Sequence, residues 1–113
     1  MKRAIIEIRA FSREVDNLMR KKKLLLEDFE ALKKRLAQNP EDGDLIPGTG
    51  GVRKIRLKSV SRGKSGGFRV CYFDDPERRE LFLMQIYAKN EQENLSPGEK
   101  KTLKEFAERV KRR

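Results

Sequence analysis

The residues "RAIIEIRAF" at 3–11 are rich in β-branched types and partly alternate, which predicts a first strand with Ile6 and Ile8 on one face. Ser12 then reads as a helix N-cap, followed by acidic Glu14 and a helical spacing of Val15, Leu18 and Met19. Leu25, Phe29, Leu32 and Leu36 recur at i, i+4, i+7 and i+11, one face of a second helical stretch that Asn39-Pro40 ends. Together they predict a helical hairpin or one bent helix, with the basic "RKKK" at 20–23 near the join. "NPEDGDLIPGTGG" at 39–51 reads as a connecting loop. Its glycines are not followed by Lys and Ser or Thr or by a helix, as a Walker phosphate loop requires.

Three further strands are predicted at Val52 to Ser59, Gly67 to Phe73 and Glu80 to Ala88, with short turn-rich links suited to hairpins. Ser96-Pro97-Gly98-Glu99 has the pattern of a capping box with Pro at the first helical position. Leu103, Phe106, Ala107 and Val110 make the apolar face of the helix that follows. The order is β-α-α-β-β-β-α, an α+β chain. Its 113 residues suit a single domain over 1–113.

Strand periodicity separates charge from core. Ile55 and Leu57 fall on one face, with Lys54, Arg56 and Lys58 on the other. Phe68, Val70 and Tyr72 alternate with Arg69, Cys71 and Phe73. In the last strand Phe82, Met84 and Ile86 are expected to share a face opposite Gln85, Tyr87 and, if the strand persists, Lys89. If the helices cover the apolar side, the open side presents Lys54, Arg56, Lys58, Arg69, Gln85 and Tyr87 together. Cations on an exposed sheet face can simply discourage edge pairing. Several on adjacent strands repel one another unless something anionic neutralises them.

Composition sharpens this picture. Lys and Arg number 28 against 18 Asp and Glu, for a formal charge of +10, which favours phosphates, an anionic membrane or an acidic protein. No apolar run approaches the length of a membrane span and no signal-peptide pattern opens the chain, so a cytoplasmic location is expected. Cys71 is the sole cysteine and reads as a small core or sheet-face residue. Histidine is absent, which removes His-based metal sites, serine-histidine triads and two-histidine RNA cleavage. No metal or other cofactor is expected.

A cationic sheet face suits metal-free cleavage of RNA, whose 2′-OH serves as nucleophile. The enzyme then supplies a base, cations for the charge growing on phosphorus and an acid for the leaving 5′-oxygen. Neighbouring cations favour the neutral form of an amine, so Lys54 beside Arg56 fits the base. Arg69 suits bidentate phosphate binding, and Tyr87 could stack on a base or donate a proton.

"GTGGVRKIRLKS", "GKSGGFRVCYF" and "LMQIYAKNEQENLSPGEKKTL" resemble the RelE/HigB family of bacterial toxins, in particular its HigB-like branch. The motifs cover about residues 44–105, and the N-terminal strand and helical pair agree in order. The resemblance implies a RelE/ParE-like, mostly antiparallel sheet with two N-terminal helices on one face and a C-terminal helix. It implies a toxin of a type II toxin-antitoxin pair, a metal-independent endoribonuclease that cuts mRNA in the ribosomal A site. Its partners would be the translating ribosome and an antitoxin, which would in turn bind operator DNA. Catalytic roles would fall to Lys54, Arg56 and Arg69, with Tyr87 and Lys89 as candidates near the C-terminal end. Arg53, Lys58, Lys64, Tyr72, Asn90 and Asn94 would contact RNA. The basic clusters at 20–23 and 109–113 are either rRNA contacts or solvated helix ends. The same fold carries gyrase inhibition in ParE-like proteins, and a non-catalytic RNA-binding protein would need only the charge. Fold alone does not separate these readings.

Overall fold

A computed structural model describes residues 2–58, 67–92 and 94–113. The elements are β1 (Ala4–Glu7), α1 (Arg9–Arg20), α2 (Leu26–Gln38), β2 (Asp44–Leu45), β3 (Arg53–Leu57), β4 (Phe68–Asp75), β5 (Glu80–Ala88) and α3 (Pro97–Lys111). The strands form one sheet in the order β1-β5-β4-β3-β2, with β1 parallel to β5 and the other pairs antiparallel.

Each helix buries the stripe its spacing defines. Phe11, Val15 and Leu18 of α1 and Phe29, Leu32 and Leu36 of α2 pack on one sheet face against Ile55, Leu57, Phe68, Val70, Tyr72, Leu81, Leu83 and Ile86. On the opposite face Leu103, Ala107 and Val110 of α3 pack with Val52, Cys71, Phe73, Phe82, Met84 and Tyr87. β4 is central and covered on both sides, which explains its nearly continuous apolar run.

Two bolts fix the ends of α3. At the start, Ser96 and Glu99 form the expected capping box: the Ser96 hydroxyl accepts from the Glu99 N–H at 3.1 Å and the Glu99 carboxylate accepts from the Ser96 N–H at 2.8 Å. At the end, Arg113 bridges Asp75 at 3.2 Å and Glu80 at 2.7 Å, and Lys111 donates to the Gly50 carbonyl at 2.5 Å. Burial pushes the Asp75 carboxyl up, but hydrogen bonds from Arg78 and Arg113 outweigh it and hold the group below the usual range.

The loop before β3 is tied to the sheet by Tyr72. Its hydroxyl donates to the Pro40 carbonyl at 2.8 Å and accepts from the Gly43 N–H at 2.8 Å. Only glycine fits opposite it: a Cβ at position 43 would lie 2.9 Å from the tyrosine oxygen and 2.9 Å from the Lys54 carbonyl. Arg53 reinforces the loop by donating to the carbonyls of Gly43 at 2.7 Å and Glu41 at 3.2 Å.

Four local expectations change. α1 begins at Arg9 with Ile8 as N-cap, because the chain turns directly out of β1; the Ser12 hydroxyl instead donates to Glu7 at 2.8 Å. The loop at 39–51 contains the two-residue edge strand β2. β5 carries a bulge where Cys71 pairs with Gln85 but Tyr72 pairs with Leu83. The extra residue, Met84, shifts the alternation, so Phe82 and Met84 face α3 while Ile86 faces α1 and α2. The sheet face read as open is also partly roofed, because α3 lies on it.

Tyr72→Phe keeps the packing volume but strands the Gly43 N–H. A loss of about 1–3 kcal/mol in urea unfolding, with an unchanged m-value, is expected.

Candidate functional site

The antiparallel register builds a grid on the α3 side of the sheet. Lys54 pairs with Cys71, which pairs with Gln85; one rung further, Arg56 pairs with Arg69, which pairs with Tyr87. Beyond the strand ends the Lys89 N–H donates to the Gly67 carbonyl, and a Cβ at Gly67 would sit 3.6 Å from that of Lys89. Arg69 therefore occupies the centre, with Lys54 and Lys89 at opposite corners. With strands about 4.8 Å apart and about 6.7 Å between alternate residues, each corner Cα lies about 8 Å from that of Arg69.

α3 roofs this grid only in part. Arg56 and Lys89 are exposed and Lys54 and Arg69 half-buried. Among the described residues, none of the four is in a salt bridge. Arg69 donates to the Phe68 carbonyl at 3.3 Å, which among the described residues leaves most of its guanidinium N–H groups free to bind an anion. The result is a cationic surface bounded by the start of α3.

The covered part of the grid is chemically quiet. Burial pushes the Cys71 thiol up to about 12, against the opposing pull of nearby Lys54, so it stays protonated at neutral pH. Tyr87 is only 7% exposed, and its buried hydroxyl has no hydrogen-bond partner among the described residues. Burial, with smaller contributions from Cys71 and Glu99, raises its pKa, while Arg69 opposes the rise.

Glu99 is the site residue that sequence reasoning missed. Besides capping α3, its carboxylate accepts from Gln85 at 2.8 Å and from Gln92 at 3.0 Å. The Ser96 N–H, above all, and these amides hold it below the usual carboxylate range. The capping motif revealed the first role. The second depends on which strand α3 lands on.

Other expected RNA contacts are dispersed. Tyr72 is fully buried on the α1–α2 side with its hydroxyl engaged, and Arg53 faces the same side with its guanidinium on loop carbonyls, so neither belongs to the cationic surface. Lys58, past the end of β3, borders a cleft of about 330 Å³ with Asp28, Ala31, Leu32 and Arg35 of α2. Asn90 and Asn94 are exposed beyond β5. Lys64 lies outside the described residues. In the basic C-terminal run, Arg109 lies over the Phe106 ring at 5.6 Å, and Lys111 and Arg113 serve the bolt that anchors α3.

The family model for the RelE toxin of the RelE / RelB toxin-antitoxin system matches residues 5–113. The chain belongs to the RelE toxin family. A solved structure of a doubly substituted mutant of the E. coli toxin RelE in the free state has the same fold, with a TM-score of 0.55. The two are 20% identical, over 82% of this chain and 90% of that one. This RelE-family toxin thus carries its cations on the sheet of a toxin fold, and none of its described helices is long and apolar enough to cross a membrane.

Two outcomes follow. Directly opposed like charges are destabilising, so Arg56→Gln should raise the unfolding free energy from urea titration at low salt by a few tenths to about 1 kcal/mol, and added salt should shrink the gain. Glu99 has a depressed folded-state pKa, so its contribution is full above the ordinary value of 4.5 and lost as pH falls through the lower folded value. The stability advantage of wild type over Glu99→Gln should fade across that window in acid titrations followed by circular dichroism.

Proposed function

We propose that this toxin is a ribosome-dependent, metal-independent endoribonuclease that cuts mRNA in the ribosomal A site and so halts translation. The observation that carries the reading is the register: Arg56 opposes Arg69 on the neighbouring strand, and Lys54 stands one rung away, also free of ion pairs among the described residues. Such an arrangement costs stability in the free protein, and a phosphate bound between the arginines would relieve the repulsion.

The chemistry follows from the corners of the grid. The Lys54 amine nitrogen, as general base, takes the proton of the 2′-OH, and the 2′-oxygen attacks phosphorus. Arg56 and Arg69 hydrogen-bond the non-bridging oxygens as their charge grows. The bond to the 5′-oxygen breaks, and that oxygen takes a proton from the Lys89 ammonium. The products are a 2′,3′-cyclic phosphate and a 5′-hydroxyl end. Lys89 suits the acid better than Tyr87 because it is exposed, whereas the Tyr87 hydroxyl lies beneath the protein surface. Tyr87 would support Arg69 from its neighbouring position in the grid.

A formal charge of +10 would favour approach to rRNA, and exposed Arg20 to Lys23 offer one contact region. The activity would be exercised in the cytoplasm and held in check by a cognate antitoxin, which would link the pair to operator DNA. The motifs around Gly63 to Phe73 and Leu83 to Leu103 support the HigB-like branch.

Primer extension on a reporter mRNA during cell-free bacterial translation tests the reading. Codon-phased cuts are expected only with ribosomes present, and Arg69→Ala should reduce them by about 10²–10³-fold. Lys54→Ala should cost about 10²–10⁴-fold. Uncut mRNA with wild-type protein would reject the nuclease, and a parallel supercoiling assay would then register gyrase inhibition if the ParE-like activity is the true one.

A further inference from the structure

Around the sheet end from the cation grid, a cleft of about 700 Å³ opens between the α1–α2 turn and the ends of β4 and β5. Leu18 and Phe68 provide apolar lining, and Lys89 and Asn90 stand on the strand side. Asn17, Lys21 and Lys23 stand on the helix side, where Lys22 adopts a left-handed conformation with φ 59° to make the turn tight. That conformation is uncommon for a residue other than glycine.

The cleft and the grid meet at Lys89, which lines the first and forms a corner of the second. Along β4 the step from Arg69 to Gly67 is about 6.7 Å, the scale of one phosphate-to-phosphate step in an extended single strand. A chain whose phosphate sat at Arg69 would therefore bring its neighbouring nucleotide to the cleft mouth. Lys21 and Lys23 would meet its backbone. The amides of Asn17 and Asn90 both donate and accept, as base-edge recognition requires. Glu14 shares the lining with a second carboxylate, Glu91, next to Asn90; an ionised carboxylate can only accept. It would welcome an amino group and repel a carbonyl oxygen at the same place.

We propose that this cleft is a nucleobase subsite for single-stranded RNA, adjacent to the scissile phosphate and selective for a base with an exocyclic amino group, adenine or cytosine. The proposal rests on the RNA reading of the grid. An acidic peptide would also be drawn to the lysines, but Glu14 and Glu91 in the same lining would repel it.

The test is a ribosome-free titration of isotope-labelled protein with the trinucleotides ApApA and UpUpU, following the side-chain amide signals of Asn17 and Asn90. ApApA should bind about fivefold to tenfold more tightly than UpUpU. Asn17→Ala and Glu14→Gln should each narrow that ratio to below about twofold. Lys104→Ala, on the exposed side of α3, should lower both affinities little and leave the ratio intact, and unfolding midpoints identify any variant that fails to fold. Equal affinity for the two trinucleotides would overturn the subsite. So would amide shifts as large with oligoglutamate, which would mean plain charge attraction.

The two proposals fail separately. If wild type leaves mRNA intact on ribosomes, the trinucleotide ratio still decides the cleft. If wild type cuts but its cut sites are unmoved by Asn17→Ala, the subsite falls and the nuclease stands.

Discussion

Everything at the candidate site hangs on the register of β4 between β3 and β5. Side chains alternate with a period of two, so a one-residue slip of β3 against β4 would send Lys54 and Arg56 to the face filled by α1 and α2 and bring Ile55 and Leu57 to the cationic side. The apolar cost of that exchange enforces the pairing of Arg56 with Arg69. The same logic explains the bulge in β5. Without Met84 as an extra residue, Leu81 and Leu83 could not face the first two helices while Gln85 and Tyr87 face the third. The bulge lets one strand serve two cores and still deliver Tyr87 beside Arg69.

The placement of α3 then divides the sheet face into two regimes. Over β5 and the far half of β4 the face is apolar and roofed, held by Glu99 on Gln85 of β5 at one end of the helix and by Arg113 on Asp75 and Glu80 at the other. Past the start of the helix it is cationic and open. Glu99 sits on the boundary. It fastens the roof through Gln85 and Gln92 with an ionised carboxylate, without an ion pair to any cation of the grid among the described residues. An acid free to swing onto Lys54 or Arg69 would neutralise the surface. Three hydrogen-bond donors keep this one occupied.

The fold order was legible because its elements obey simple periods. The sides of Lys54, Arg56 and Arg69 were legible for the same reason, since strand alternation is a local property. What the sequence hid was tertiary. Nothing local says which sheet face a terminal helix will cover, so Tyr87 looked accessible and is 7% exposed. The bulge at Met84 carries no glycine to announce it, which is why Ile86 was assigned with Phe82. Tyr72 alternates with the buried Phe68 and Val70. Its apolar side was visible in the pattern, but the two loop contacts that occupy its hydroxyl were not.

The Tyr87 hydroxyl, unpartnered among the described residues, bears on how the proposed chemistry is shared. A buried hydroxyl without a partner costs about 1–3 kcal/mol, and a phenylalanine would fill the same volume without that penalty. Its ring justifies burial, packed in the core under α3; its oxygen does not. The hydroxyl belongs to the residue beside Arg69, in the rung where phosphate would bind. As a direct acid it would require the start of α3 to lift, against the hydrogen bonds of Glu99 to Gln85 and Gln92. As a neutral neighbour it needs no such motion. Its raised pKa keeps it uncharged, so it adds no anion to compete with phosphate for Arg69. In the proposed reaction, proton delivery would then fall to a cation already at the surface, and Lys89 is the one the grid sets across Arg69 from Lys54.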